Sequence, residues 1–183
     1  MQLTNIGVNP HGTRVIQKIV DKLHTEELMK TFIKVLKPHT VNLVKDLNGN
    51  HIILKVLNCY DPALTTPLFE TLNNHLMEVS LHKHGCCVLQ KCIDSASPEI
   101  KNYIIMSILQ HIPELITDQF GNYILQYVMT LGDTNLVGSI AKTFFKDMIF
   151  LSKQKYSSNV VEKVYFFNIS ALTIAMKKQK RNF

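Results

Sequence analysis

The chain has 183 residues, 46% of them hydrophobic, and a formal net charge of +6 at pH 7. A hydrophobic fraction of this size is ordinary for a folded protein and excludes wholesale disorder. No apolar run approaches the roughly 18 residues that a membrane span needs, and the first residues lack the basic and apolar regions of a secretory signal, so we expect a soluble, cytoplasmic protein without a membrane partner.

The positive charge is concentrated at the C-terminal end. Four cations lie at Lys177, Lys178, Lys180 and Arg181, no acid follows Ala175, and residues 1–176 therefore carry only +2. A basic protein is a candidate for nucleic-acid binding, but the charge of the main body gives that interpretation only weak support.

Five segments share one pattern, in which a Gly or Ser precedes a small polar or thiol residue and an apolar helix follows. They are residues 12–17, 49–54, 85–90, 121–126 and 157–162, and their starts are 37, 36, 36 and 36 residues apart. A period held this closely indicates one supersecondary unit that is repeated and stacked. The sequence therefore predicts about five units of a solenoid.

The third unit is predicted to begin with a short helix over 77–81, followed by a second helix over 86–93. Residues 95–98 form a turn, and Pro98 lies near the start of a third helix over 99–110, where proline is favoured. Gly85 is expected in the left-handed or cramped turn between the first two helices.

The fourth unit repeats this plan with helices predicted over 113–118, 122–129 and 135–145. Residues 130–133 are predicted to end the second helix and separate it from the third. Three helices in about 36 residues, with no strand signal, predict an all-α solenoid.

The second helix of each unit carries the residues that vary between units. In the fourth unit Asn122 and Gln126 are four residues apart and share one helix face, and Tyr123 lies beside that face. Ile124 and Leu125 point away from it, into the stack. Each unit thus presents two polar groups and one flat or long side chain to the same strip of surface.

These groups match the chemistry of an unpaired nucleotide, which offers a face for stacking and an edge for hydrogen bonding. Asn122 and Gln126 supply the donors and acceptors that uracil requires, and Tyr123 supplies a ring for stacking. Ser158 with Glu162 favours guanine, because an ionised carboxylate accepts from the adjacent N1–H and N2–H donors.

Adenine needs one donor and one acceptor, which a glutamine amide opposite a small residue can supply. Cys86 with Gln90 and Thr13 with Gln17 fit this requirement. Arg14 can stack its guanidinium plane on a base.

The motifs Asn122-Tyr123-x-x-Gln126 and Ser158-Asn159-x-x-Glu162 resemble those of the Pumilio-homology (PUF) family. The resemblance implies a right-handed α-solenoid of three-helix Pumilio-type repeats over residues 1–165, followed by a divergent basic tail over 166–183. It also implies that the five units are similar to the third to seventh of the family's usual eight repeats, and it leads us to expect a fragment, a truncated product or a degenerate paralogue.

The function implied by this resemblance is sequence-specific binding of single-stranded messenger RNA in 3′ untranslated regions. One base is bound per repeat on the concave face, antiparallel to the chain, which gives a core of 5′-GUANA-3′ within UGUA-containing targets. The family likeness further implies post-transcriptional repression by a monomer, with co-repressor or deadenylase proteins on the convex face.

Two positions depart from the family pattern. Leu54 stands where the family usually has glutamine, so Asn50 and His51 lack a partner for base discrimination, and Cys87 replaces a commoner stacking side chain. The candidate RNA-binding residues are Thr13, Arg14, Gln17, Asn50, His51, Cys86, Cys87, Gln90, Asn122, Tyr123, Gln126, Ser158, Asn159 and Glu162.

Other interpretations remain open. The asparagines could be helix caps, the fold could be a protein-binding solenoid of the armadillo or HEAT kind, or the chain could be a nucleolar ribosome-assembly factor of Pumilio type. We predict no enzyme, because no paired carboxylates, phosphate-binding loop or nucleophile–base pair occurs at a useful spacing. We predict no cofactor or metal either, since His82, His84, Cys86 and Cys87 lack the spacing of a zinc site.

Overall fold

The computed structural model describes residues 2–131 and 133–167. The chain divides into two compact parts, which we call the first unit, Met1–Ser107, and the second unit, Ile108–Phe183, and the five recurring segments are called repeats from here on. Regular structure in the described residues is helical, without a strand. The prediction of an all-α fold is therefore confirmed. Gly132 and the basic residues from Lys177 to Arg181 lie outside the described residues.

The first unit is built from α-helices joined by short turns, with a 3₁₀ turn at Lys37–His39. Its helices are α1 (Gln2–Val8), α2 (Gly12–Lys22), α3 (Glu26–Leu36), α4 (Thr40–Lys45), α5 (Asn50–Cys59), α6 (Pro62–Asn74), α7 (Leu76–Ser80), α8 (Lys83–Ser95) and α9 (Pro98–Leu109), the last of which crosses the division between the units.

The second unit continues the same pattern, with a 3₁₀ turn at Phe145–Asp147. Its helices are α10 (Ile112–Thr117), α11 (Gly121–Thr130), α12 (Thr134–Phe144), α13 (Met148–Leu151) and α14 over residues 157–167. Residues 166 and 167, which the sequence assigns to the tail, continue α14.

Each of the first four repeats contains a short helix, a second helix with the variable motif, and a long third helix, as predicted, and the described part of the fifth repeat contains the first two. We call the second helices, α2, α5, α8, α11 and α14, the reader helices. Most predicted boundaries lie within one or two residues of the observed ones. The exception is α8, which begins at Lys83 rather than Cys86, because His82 is the extended residue before the helix and its side chain accepts a hydrogen bond from the His84 amide.

Apolar residues on one side of each reader helix form the core. In the first unit α2 packs against α5 and α5 against α8, while α3 packs against α6. Ile52, Ile53 and Val56 of α5 are completely buried, as are Ile124 and Leu125 of α11. Burial of such side chains is the main source of stability in a stack of repeats.

Ion pairs also join adjacent repeats of the first unit. Lys55 Nζ lies 2.6 Å from Asp21 Oδ1, and Lys45 Nζ lies 2.6 Å from Glu78 Oε1. The hydrogen bonds from these ammonium groups lower the pKa of the Asp21 and Glu78 carboxyls. Because the pairs are partly exposed to solvent, they contribute little to stability beside the apolar packing.

The glycines before the variable motifs are required by close approach rather than by backbone conformation. No glycine in the described residues has a positive φ, so the predicted left-handed turn is wrong, whereas the predicted crowding is confirmed. A Cβ on Gly85 would collide with the backbone carbonyl of Val79, and one on Gly12 would collide with that of Ile6. Both contacts lie six residues back along the chain.

Serine replaces glycine at this position in the fifth repeat. Ser157 is completely buried, and its Oγ donates a 2.7 Å hydrogen bond to the carbonyl oxygen of Leu151, again six residues back. The junction between short helix and reader helix is therefore held by a hydrogen bond here, where the other repeats rely on direct backbone contact.

Replacing Gly85 by alanine should destabilise the protein, because the backbones of α7 and α8 must move apart. We expect a loss of about 1–3 kcal/mol in the free energy of unfolding, the usual cost of overpacking. Gly138→Ala is the matched control, since a Cβ there meets nothing within 4 Å, and it should instead stabilise α12 by about 0.5–1 kcal/mol. Urea denaturation followed by circular dichroism measures both, and equal effects would contradict the crowding argument.

Candidate nucleic-acid interface

The reader helices carry three classes of side chain, which differ in burial and in hydrogen bonding. We name them by their order in the motif Asn122-Tyr123-x-x-Gln126 and its counterparts: Asn122 occupies the first position, Tyr123 the second and Gln126 the fifth. In the first unit these positions lie on α2, α5 and α8, which pack side by side. In the second unit they lie on α11 and α14.

The second positions are exposed in every repeat. They are occupied by Arg14, His51, Cys87, Tyr123 and Asn159. Tyr123 keeps 52% of its surface exposed even though it follows a buried asparagine in α11. A flat or long side chain held in solvent on a rigid helix is suited to stacking against a planar ring.

The first positions are buried in four repeats, with Thr13, Asn50, Cys86 and Asn122 exposing between 0% and 7% of their surfaces. Ser158 is half-buried. These side chains therefore make most of their contacts inside the protein, whereas the sequence analysis predicts them on the surface strip that contacts bases.

Asn122 shows what a first-position side chain does in this structure. Its Nδ2 donates to the carbonyl oxygens of Asp118 and Gln119, at 2.8 and 3.1 Å. Its Oδ1 accepts a 2.8 Å hydrogen bond from Gln126 Nε2. An N-cap side chain would instead accept from backbone N–H groups at the helix start, so these bonds do not cap α11. Asn122 orients Gln126.

Gln126 keeps hydrogen-bonding capacity after this contact. A glutamine amide has two N–H donors and one carbonyl oxygen, and Asn122 uses one donor. The half-exposed Gln126 side chain therefore retains one donor beside one acceptor. This pair matches a ring edge that carries an N–H next to a carbonyl.

The first and second repeats vary this arrangement. Gln17 Nε2 donates to Thr13 Oγ1 over a longer distance of 3.4 Å, and Thr13 Oγ1 itself donates to the Asn48 carbonyl at 3.0 Å. In the second repeat Asn50 Nδ2 donates to the carbonyls of Asp46 and Leu47, both at 2.8 Å, as Asn122 does in the fourth. The fifth position there is Leu54, which supplies no polar group.

The third repeat combines two thiols with a glutamine. Cys86 Sγ and Cys87 Sγ are 3.9 Å apart, and both thiols point to the Lys83 carbonyl oxygen, at 3.3 and 3.7 Å. Gln90 is half-buried. Among the described residues no group of His, Cys, Asp or Glu has an arrangement that could hold a metal ion.

The fifth repeat forms a cavity together with the fourth. The cavity has a volume of about 370 Å³ and is lined by Gln126, Asn159, Glu162, Lys163, Phe166 and Phe167. Ser158 Oγ donates to the Lys155 carbonyl at 3.4 Å. The cavity thus brings together three of the predicted residues and adds a cation and two phenylalanines that the sequence-based prediction missed.

Capping residues before the reader helices were also missed. Asp118 Oδ1 accepts from the amides of Phe120 and Gly121 at 2.8 and 2.7 Å, and Asp46 Oδ1 accepts in the same way from Asn48 and Gly49. The signal was present, because an Asp or Asn stands three residues before the glycine in three repeats. These caps fix where the reader helices of the first, second and fourth repeats begin.

The third repeat has histidine at this capping position. His82 Nδ1 accepts from the His84 amide at 3.3 Å, which requires an unprotonated ring nitrogen. Burial lowers the pKa of His82, with a further contribution from the nearby Lys45 cation. The neutral ring is therefore the form that caps α8.

Comparison with known proteins identifies the repeats. The family model described as "Pumilio-family RNA binding repeat" matches residues 2–35, 39–72, 75–109, 111–140 and 148–165. A Pumilio domain-containing protein of Schizosaccharomyces pombe is 41% identical over 171 residues, which is 93% of this chain and 25% of that protein.

Solved structures show the same architecture. The Puf4 RNA-binding domain, bound to the HO endonuclease RNA 3′ UTR recognition sequence, superimposes with a TM-score of 0.86 and 35% identity, over 91% of this chain and 53% of that one. The RNA-binding domain of yeast Puf5p, bound to AAT2 RNA, superimposes with a TM-score of 0.84 and 34% identity, over 94% of this chain and 50% of that one. The chain thus spans about half of these domains and about a quarter of the curated relative.

In the described part of the chain no helix is both long and apolar enough to cross a membrane. The predicted fold class, an α-solenoid type built from Pumilio repeats, is confirmed by the family model and the structural neighbours. The chain belongs to the Pumilio family of RNA-binding repeat proteins.

Proposed function

We propose that this chain binds single-stranded messenger RNA sequence-specifically, with one base per repeat and the core 5′-GUANA-3′ read antiparallel to the chain. The observation that carries the proposal is the hydrogen bond of 2.8 Å from Gln126 to Asn122, beside the exposed ring of Tyr123. It leaves an oriented donor–acceptor pair next to a stacking surface, which is the pair of features that an unpaired uracil requires.

The proposed base assignments follow the fifth positions. Gln126 takes uracil, Glu162 takes guanine through its N1–H and N2–H, and the glutamines of the first and third repeats take adenine. Leu54 leaves the base of the second repeat unspecified. The Puf4 and Puf5p domains that this chain resembles were solved with RNA bound, which supports RNA as the ligand.

We further propose that binding occurs in the cytoplasm and represses translation or stability of UGUA-containing messengers. Co-repressor or deadenylase proteins would be recruited by the bound, monomeric protein. This part of the proposal is supported by membership of the family alone.

The binding proposal predicts a strong preference for a UGUA oligomer. Fluorescence anisotropy with labelled UGUAAAUA should give a dissociation constant between micromolar and high nanomolar, roughly −8 to −9.5 kcal/mol, since each stacked base contributes about 1–3 kcal/mol. The same oligomer with UGU replaced by ACA should bind at least tenfold more weakly. Equal affinity for the two would reject sequence-specific recognition.

Exchanging the fifth-repeat motif should change the base that it selects. The double variant Ser158→Asn with Glu162→Gln copies the fourth repeat and should prefer UUUAAAUA over UGUAAAUA, because the carboxylate that accepts from guanine is gone. A shift of about tenfold is expected from an edge contact of about 1–3 kcal/mol. The matched control is an oligomer changed only at the fourth-repeat base, whose relative affinity should be the same for variant and parent protein.

Adding the missing glutamine should create discrimination in the second repeat. Asn50 already makes the two carbonyl contacts that Asn122 makes, so Leu54→Gln can form the same side-chain pair and should favour uracil at the unspecified base. The parent protein should bind UGUAAAUA and UGUAUAUA within about threefold of each other, whereas the variant should prefer the second by about tenfold. A variant that binds RNA yet remains indifferent would show that Asn50 does not orient a fifth-position side chain.

A further inference from the structure

An apolar patch lies on the surface of the second unit, in the segment between α12 and α14 and outside the motif positions of the reader helices. It consists of Phe145, Ile149 and Phe150, which expose 69%, 77% and 65% of their surfaces. They lie on the 3₁₀ turn Phe145–Asp147 and on α13. Single exposed apolar residues are ordinary, but three large ones within one six-residue segment make this segment a candidate interaction site.

The other repeats provide an internal comparison for this patch. Counting back from the glycine or serine before the motif, Phe150 corresponds to Asn42, Glu78 and Glu114. Phe145 corresponds to Lys37, Asn73 and Leu109. The fold therefore accepts a polar residue in place of Phe150 in the second, third and fourth repeats. It accepts one in place of Phe145 in the second and third repeats. Packing does not require phenylalanine at either.

The same segment is where the chain departs from the family pattern. Successive matches to the repeat model are separated by three residues or fewer up to residue 111, but the last gap covers residues 141–147. The patch begins in this gap. Phe145 thus lies outside the matched repeats, whereas Ile149 and Phe150 lie inside the last match, and the base-reading positions account for none of the three.

Cations surround the patch in sequence and are exposed. They are Lys142, Lys146, Lys153 and Lys155, with Asp147 as the one acid between residues 142 and 155. None of these lysines forms an ion pair with a described residue. The segment therefore carries a net charge of +3 that no described residue neutralises.

We propose that this patch binds a short peptide segment of a protein partner, with aromatic or aliphatic anchors flanked by acidic residues. Apolar anchors would bury the three exposed side chains, and acidic flanks would pair with the lysines, in the core-and-rim arrangement of protein interfaces. A membrane surface fits less well, because interfacial binding uses a long amphipathic helix, whereas α13 has four residues and Asp147 lies within the patch.

The test uses the full chain and variants that other repeats already tolerate. Phe145→Asn with Phe150→Glu copies the residues of the third repeat, so we expect it to fold and to keep its affinity for UGUAAAUA. Tyr103→Asn with Met106→Glu is the matched control, since those side chains expose 56% and 57% of their surfaces in the first unit. Thermal melts of both variants verify folding.

The probe is a phage-displayed library of random twelve-residue peptides, selected on the parent protein. We expect enriched peptides to combine acidic residues with aromatic or aliphatic anchors. Individual synthetic peptides should bind the patch variant at least tenfold more weakly and the control variant unchanged. Higher salt should weaken binding to the parent protein.

Several results would overturn the proposal. It fails if no enriched peptide loses affinity for the patch variant, or if the enriched peptides lack acidic residues. It also fails if the patch variant abolishes binding to anionic vesicles or self-association in sedimentation while peptides are unaffected. Because the peptide selection contains no RNA, its outcome is independent of the base assignments above.

Discussion

The contact on which each repeat depends is the approach of the reader helix to the carbonyl six residues before it. Gly12 and Gly85 allow this approach because any Cβ would meet that backbone. A Cβ added to Gly49 or Gly121 would also lie only 2.9 or 3.0 Å from the corresponding carbonyl oxygen. Ser157 achieves the junction with a hydrogen bond. Because this junction fixes the angle between short helix and reader helix, it also fixes where the motif residues lie.

The consequence is a scaffold whose exposed motif positions can vary between repeats while the apolar core is kept. Apart from the first positions and Ser157, the buried side of each reader helix is apolar. The second positions hold residues as different as Arg14, Cys87 and Tyr123, all of them exposed. A side chain in solvent on a rigid helix can change chemistry without disturbing the core. Function can thus vary from repeat to repeat on an unchanged fold.

Much of this architecture could be predicted from the sequence, because the period of the apolar residues and the spacing of the glycines are properties of the chain itself. The role of the glycines could be predicted only in part. A glycine before a helix suggests a left-handed turn, but the crowding at Gly85 comes from Val79, and a contact of this kind depends on how two helices meet. The role of Asn122 was hidden for the same reason, since its partners are backbone carbonyls.

The hydrogen bond between Asn122 and Gln126 has an energetic consequence for recognition. A side chain that is already held in place loses less conformational entropy when it binds than one that is free, so pre-orientation increases affinity and selectivity together. The fourth repeat holds its glutamine at 2.8 Å, the first holds Gln17 at 3.4 Å, and the second has only Leu54. Under the proposed function, base selectivity should therefore decrease in that order, because the first position would act by restraining the fifth.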